Sequence, residues 1–516
     1  MSVSAGVHLT DSNNTRVSSY QPATATQHEN FISNSLWYIA AGQIERVVGI
    51  LLSFSLRWGL SPADIGIYSG LRFLLDNTSY SSLGVALGAV QKRPVLIASG
   101  HSAEAERLTD IAAGTNSITS GLYATGLIIW GLYLIFFGKM QWGVGLILIG
   151  LMVIMKRRQD FQIAIMRSES RFFSTSKIAI QVNFAFSIFM ITGILLYGFW
   201  GILIGLFSGF IFQGLLLAKV EKSIPFHDKL DFRTACHLAL VGLPILAMNS
   251  SWMLVGTLDR VLILGQMPDG ETQAGYYSIA ILATSWCQDM AGRFSLVLYP
   301  EYQRAVGKGV DRSKILQKSE FGAMFVMSCL ITVALWITPV CFYIIPQIFP
   351  GLSPGVAAFV TMLPGSISFA AAWPIRQALI AVGKPWAGTT VGVLVLIPEY
   401  YVLKNACVTK SISEIARISS LFQALSFILL ILLVWNSTKW NLNIVFVRLR
   451  FISIILIGII GYFKIHRVLS SGFDKTIGYR LIFSLLELNL PVTLVISVIL
   501  FSITRSQRTL LRFDGD

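Results

Sequence analysis

Eight charged residues stand in stretches of this chain where little else is charged: Glu45 and Arg46, Arg72 and Asp76, Asp259 and Arg260, Asp289 and Arg293. Their types suggest a definite chemistry. A guanidinium offers five N–H donors in a planar fork that matches phosphate or carboxylate, so Arg46, Arg72, Arg260 and Arg293 are candidates for holding an anionic cargo. The acids Glu45, Asp76, Asp259 and Asp289 are candidates for balancing those charges or for coupling to H+ or Na+. An uncompensated Arg at the centre of a bilayer costs about 2.5–3.5 kcal/mol on insertion scales, so such residues face a partner or a water-filled cavity. On helical spacing, Ser69, Arg72, Asp76 and Tyr80 share one face, and so do Ser278, Ser285, Asp289 and Arg293. The alternative is that Arg72–Asp76 and Asp289–Arg293 are i,i+4 ion pairs that only satisfy each other. Glu45 and Asp259, each one residue from its Arg, point about 100° away and need other partners.

The elements that carry these residues are membrane helices. Hydrophobic residues make up 54% of the 516 residues and charged residues 13%, and the mean hydropathy is +0.67. A soluble domain of this size needs more surface charge. Apolar windows fall near 33–56, 65–90, 112–137, 141–163, 176–197, 199–218, 235–265, 274–300, 320–345, 356–381, 386–403, 415–436, 449–466 and 480–503, about fourteen transmembrane helices in an all-α polytopic protein. Residues 1–32 are polar and read as a disordered cytoplasmic tail. Gly201, Gly205 and Gly209 form a small-residue stripe suited to close helix packing. The five cysteines are scattered singly, and neither a disulfide scaffold nor a metal site is expected.

Most of the 40 basic residues fall in the amino-terminal tail and in the loops that follow even-numbered helices, which predicts both termini cytoplasmic. The net charge of +14 therefore reflects topology and anionic lipid rather than nucleic acid. No outward loop is long enough to house a hydrolase or polymerase site, which argues against an enzyme. Three short matches recur in order, displaced by 209 to 218 residues: Glu45-Arg46 with Asp259-Arg260, Gly66-Ile67-Tyr68-Ser69 with Gly275-Tyr276-Tyr277-Ser278, and Arg158-Gln159 with Arg376-Gln377. They predict two parallel six-helix repeats, 33–218 and 235–436, joined by a cytoplasmic linker 219–234 and followed by two appended helices and a tail in 437–516. In transporters with such repeats, substrate sites lie between the halves, and transport proceeds by rocking one half against the other.

With LSPADIGIYSG after the first helix, LDRVLILGQM and QAGYYSIA around the seventh and eighth, and PIRQALIAVGKP at the tenth, the chain resembles the Wzx-like polysaccharide flippases of the MOP superfamily, relatives of MurJ and the MATE antiporters. The resemblance covers about residues 33–505. It implies a bacterial inner-membrane protein that turns an undecaprenyl-diphosphate-linked oligosaccharide from the cytoplasmic to the periplasmic leaflet for O-antigen or exopolysaccharide export. Arg46, Arg72 and Arg293 occupy positions similar to cavity arginines of such flippases. Implied partners are the lipid-linked oligosaccharide, membrane lipids, and the polymerase and chain-length regulator of the same glycan pathway. A MATE-like ion-coupled antiporter is the alternative, with a membrane polymerase or ligase behind it. No Walker motif is present, and no cofactor beyond a coupling H+ or Na+ is implied.

Overall fold

The structure is a computed structural model, and it describes residues 41–42, 44–45, 48–49, 51–98, 100–169, 171–220, 231–307, 309–348, 350–438 and 448. The expected thirteenth and fourteenth helices, the tail 1–32, most of the linker and Arg46 lie outside these residues. All regular structure among the described residues is helical. The elements are α1 (51–59), α2 (Pro62–Asp76), a 3-10 turn (Asn77–Ser82), α3 (Val85–Ala98), α4 (Ser102–Phe136), α5 (Met140–Ser168), α6 (Phe172–Val220) and α7 (Phe232–Val255). They continue with α8 (Leu258–Gln266), α9 (Gly270–Gly307), α10 (Arg312–Ile348), α11 (Pro354–Ala371), α12 (Trp373–Ala381), α13 (Pro385–Thr409) and α14 (Ile412–Ser437). Among the described residues, eight spans are long and apolar enough to cross a membrane. The chain is a multi-pass α-helical membrane protein.

Each half buries its own core. Leu71, Leu75, Leu146, Ile149, Met152 and Leu206 fill one between α2, α4, α5 and α6. Trp252, Leu330, Phe369, Leu379, Val395 and Leu430 belong to the other, between α7 and α14. The glycine stripe does what its spacing suggests. Gly198 turns the chain at φ +56, so α6 is two antiparallel limbs, and a Cβ on Gly201 would fall on the Gly193 carbonyl while one on Gly209 would overlap the Phe186 ring.

Three expected helices are not continuous. The second ends at Asp76, where the Asn77 amide donates to the Phe73 carbonyl at 2.7 Å; it tightens into a 3-10 turn, passes through Leu83 at φ +48 and Gly84 at φ +85, and resumes as α3. Ser69, Arg72, Asp76 and Tyr80 still line one cavity across this turn. The seventh breaks at Gly256 and Thr257, whose hydroxyl donates to the Met253 carbonyl at 2.8 Å. The tenth breaks at Ala372, because Pro374 has no N–H to give back to the preceding turn. In hydrocarbon, irregular backbone survives only inside protein or against a cavity. All three breaks meet at one cavity.

Candidate functional site

That cavity has a volume of about 1080 Å3 and lies between the halves. Asn77, Ser79 and Tyr80 line it from the first break, Met253, Thr257 and Arg260 from the second, and Phe369, Trp373 and Arg376 from the third. Arg72, Asp76, Lys139 and Glu271 also line it, so its wall carries four basic and two acidic side chains among the described residues. Both acids are engaged. Asp76 accepts from Arg72 Nε at 3.0 Å, and Glu271 accepts from Trp142 Nε1 at 2.9 Å. The wall is cationic in balance.

The seven sequence candidates among the described residues separate into four groups. Arg72, Asp76 and Arg260 line the cavity, and the Arg72–Asp76 pair is the i,i+4 bridge that the spacing allows, with the Arg72 side chain still 38% exposed. Arg293 and Glu45 bond each other across the halves instead, and Arg293 crosses the first helix where a Cβ on Gly42 would meet it. Asp259 is fully buried behind the wall, where it accepts from the Tyr277 hydroxyl and from the Arg260 backbone N–H at 2.8 Å. Glu45 and Asp259 thus have the separate partners that their one-residue offset from an Arg requires. Asp289 is exposed on α9.

Three residues escape a reading of the sequence. Arg376, which charge counting assigns to a cytoplasmic loop, is 4% exposed inside α12. Its guanidinium lies 4.6 Å from the ring centre of Trp373 and 5.0 Å from that of Trp252, and its Nη2 donates to Asn249 Oδ1 at 3.0 Å. Glu399, on α13, is fully buried within electrostatic reach of Asp259, and both its carboxylate oxygens lack a hydrogen-bond partner. An acid in the middle of an apolar run is the signal that was available for it. Arg57, expected in an outward loop, closes α1 and donates to the Ser278 carbonyl at 3.0 Å, tying the first helix to α9.

The halves touch on both sides of the cavity. A Cβ on Gly66 of α2 would fall on the Glu271 carbonyl of α9, and one on Gly275 on the Pro62 carbonyl, so the repeated Gly-x-Tyr-Ser glycines are the crossing point. At the other end α3 crosses α7, with Gly242 against the Gly84 carbonyl and Gly88 against that of Leu238. The cavity is held between these two crossings.

No protein-family model matches the chain, and no curated protein matches it. Solved structures do. A lipid II flippase, MurJ, in an inward closed conformation has a TM-score of 0.61 at 14% identity, over 94% of this chain and all of that one. The Vibrio cholerae MATE transporter VcmN, as a mutant, has a TM-score of 0.57 at 11% identity over 80% and 97% of the two chains. An inward-facing multidrug resistance MATE transporter of the MOP superfamily has 0.55 at 14% identity over 78% and 98%. The chain shares the fold of these structures. At these identities the likeness is one of fold; the cavity wall carries an ion-paired Arg72, an Arg260 and an Arg376 without a carboxylate partner among the described residues, and a buried Asp259–Tyr277–Glu399 group behind them.

Proposed function

We propose that this chain is a flippase that moves a lipid-linked oligosaccharide, carried on undecaprenyl diphosphate, from the cytoplasmic to the periplasmic leaflet of a bacterial inner membrane, with both termini cytoplasmic. The observation that carries this reading is the cationic cavity between the two halves. A sugar-diphosphate head needs a polar, positive passage, while its lipid tail stays in hydrocarbon outside. Two crossings, each between elements of opposite halves, suit the rocking of alternating access. The likeness to a lipid II flippase over nearly the whole chain supports the same reading.

The buried carboxylates Asp259 and Glu399 favour ion coupling. Both Glu399 carboxylate oxygens are buried without a hydrogen-bond partner, which leaves a place for a coupling H+ or Na+ beside them. This feature also fits the second reading, a MATE-like antiporter for a small molecule. The experiment that separates them is deletion of the gene followed by analysis of lipid-linked glycans. Accumulation of complete repeat units facing the cytoplasm, with export restored by the intact gene, is the result expected. Normal glycan export together with a lost efflux of cationic dyes would replace the flippase with the antiporter.

A further inference from the structure

We propose that Arg376 is the oxyanion-binding subsite of the cavity, taking a phosphate ester or a sugar carboxylate of the cargo; this rests on the transport reading above. The corner around it is rich in donors and poor in acceptors. The two indoles of Trp252 and Trp373 lie against the guanidinium, which fixes its plane and strips its hydration. Nη2 is spent on Asn249, Nε is buried without a partner, and the Trp373 indole N–H is buried without one as well. Asn249 Oδ1 is occupied by this bond, so it is not an open acceptor in the corner.

Among the described residues, no carboxylate is at hand to balance this charge. Asp76 is committed to Arg72 and Glu271 to Trp142, while Glu45 bonds Arg293. A guanidinium that is 4% exposed and has no acidic partner is expensive to keep in a membrane. Packing two tryptophans does not require a charge there, since a Met or Leu of similar length fills the same space. An anion entering the cavity supplies what the protein withholds. The ion-paired Arg72 is the weaker anchor, because an incoming anion must compete with Asp76.

The test measures anion binding to the purified, full-length protein in detergent, by calorimetry, with pyrophosphate, glucuronate and neutral glucose as probes. Pyrophosphate binding points to the phosphate linkage as the source and glucuronate binding to an acidic sugar; glucose is expected to bind to neither the wild type nor the variants. Arg376→Gln is expected to weaken the preferred anion at least ~10-fold. Because Arg376 also supports two tryptophans, Asn249→Asp is the second variant. It places a carboxylate against the guanidinium from within, so the protein stays folded, with a melting temperature at or above that of wild type, and loses the anion to the same extent. Wild-type affinity in both variants, or no anion binding by the wild type at tens of millimolar, overturns the subsite. Export measured in parallel keeps the two claims apart. A chain that exports glycan but binds no anion at Arg376 sinks the subsite alone, whereas anion binding with glycan export unaffected by gene deletion sinks the flippase reading alone.

Discussion

The two crossings that enclose the cavity are built from similar parts on different plans. Where α2 meets α9, Gly66 faces residue 271 and Gly275 faces residue 62, and these positions correspond pairwise at a displacement of 209. The contact is therefore its own image under the internal repeat. Where α3 meets α7, the partners come from the second and seventh helices, which are not equivalents, and one glycine, Gly84, also has to hold φ +85. The surroundings differ too. The first crossing is flanked by Gln141 donating to Asp64 at 3.1 Å and Trp142 to Glu271 at 2.9 Å, whereas the second is clasped by Lys92 with His237 at 2.6 Å and Arg107 with Asp231 at 3.2 Å. A symmetric crossing asks the same of both halves. An asymmetric one concentrates its demands on particular residues.

The largest effect is expected where two demands coincide. Gly84→Ala places a Cβ against the Gly242–Leu243 backbone and forces an L-residue to positive φ. Overpacking costs about 1–3 kcal/mol and the left-handed backbone about 1–2 kcal/mol more. Gly242→Ala carries only the first of these, so it should melt higher than Gly84→Ala in detergent and retain more export. Equal melting temperatures for the two would remove the backbone half of the comparison.

At the symmetric crossing the expectation is equality. Gly66→Ala and Gly275→Ala each push a methyl onto a backbone carbonyl of the opposite half, at about 1–3 kcal/mol each. Their losses of melting temperature should agree within error, and each should lower export to a similar degree. A clear difference between them would show that the repeat is not a symmetry of the contact.

The same contrast explains what the sequence makes legible. A contact between equivalent helices repeats its motif, and Gly-x-Tyr-Ser stands out twice for that reason. The glycine stripe on α6 is legible because one helix carries it at a fixed period. The α3–α7 crossing joins unlike segments and repeats nothing. Windowed hydropathy averages over the breaks at Leu83 and Gly256, since neither removes an apolar run, and leucine is not a turn-forming residue. Averaging also hides Arg376, which sits past Pro374 near the end of an apolar window and so passes for a loop residue, although α12 buries it. Arg448 is similar: it reads as a cytoplasmic loop charge, yet it is 5% exposed and bonds Glu320 Oε1 at 3.2 Å beside Trp435. The charges that pair locally, such as Arg72 with Asp76, follow from spacing. Those that pair across the halves, such as Arg293 with Glu45, need the fold.

The clasp at the second crossing predicts a smaller effect with a defined pH sense. Asp231 caps α7, accepting from the Thr234 N–H at 3.2 Å and the Thr234 hydroxyl at 2.6 Å, and its carboxyl is held below the ordinary range first by the Thr234 hydrogen bonds and then by Arg107. A depressed carboxyl pKa contributes stability that is present above the unfolded value, about 3.9, and is lost as pH falls through the folded one. Asp231→Ala should lower the melting temperature modestly at pH 7 and flatten its decline below pH 4. An unchanged acid limb would mean that the cap and the Arg107 pair contribute nothing to closing this end.

The smallest effect lies in the break itself. Leu83 holds φ +48 with its side chain 61% exposed, so little packing is lost when the side chain is removed. The left-handed backbone costs an L-residue about 1–2 kcal/mol, and a glycine adds about 0.5–1 kcal/mol of unfolded-state entropy. The two nearly cancel, leaving Leu83→Gly more stable by about 0.5 kcal/mol. The matching change at the other break, Thr257→Gly, removes a hydroxyl that bonds the Met253 carbonyl and relieves no positive φ, so it should destabilise. Opposite signs for the two substitutions in detergent melting are the expected result. A loss of stability in Leu83→Gly would mean that the exposed leucine side chain holds the turn between α2 and α3, and the asymmetry of the α3–α7 crossing would then begin at Leu83 rather than at Gly84.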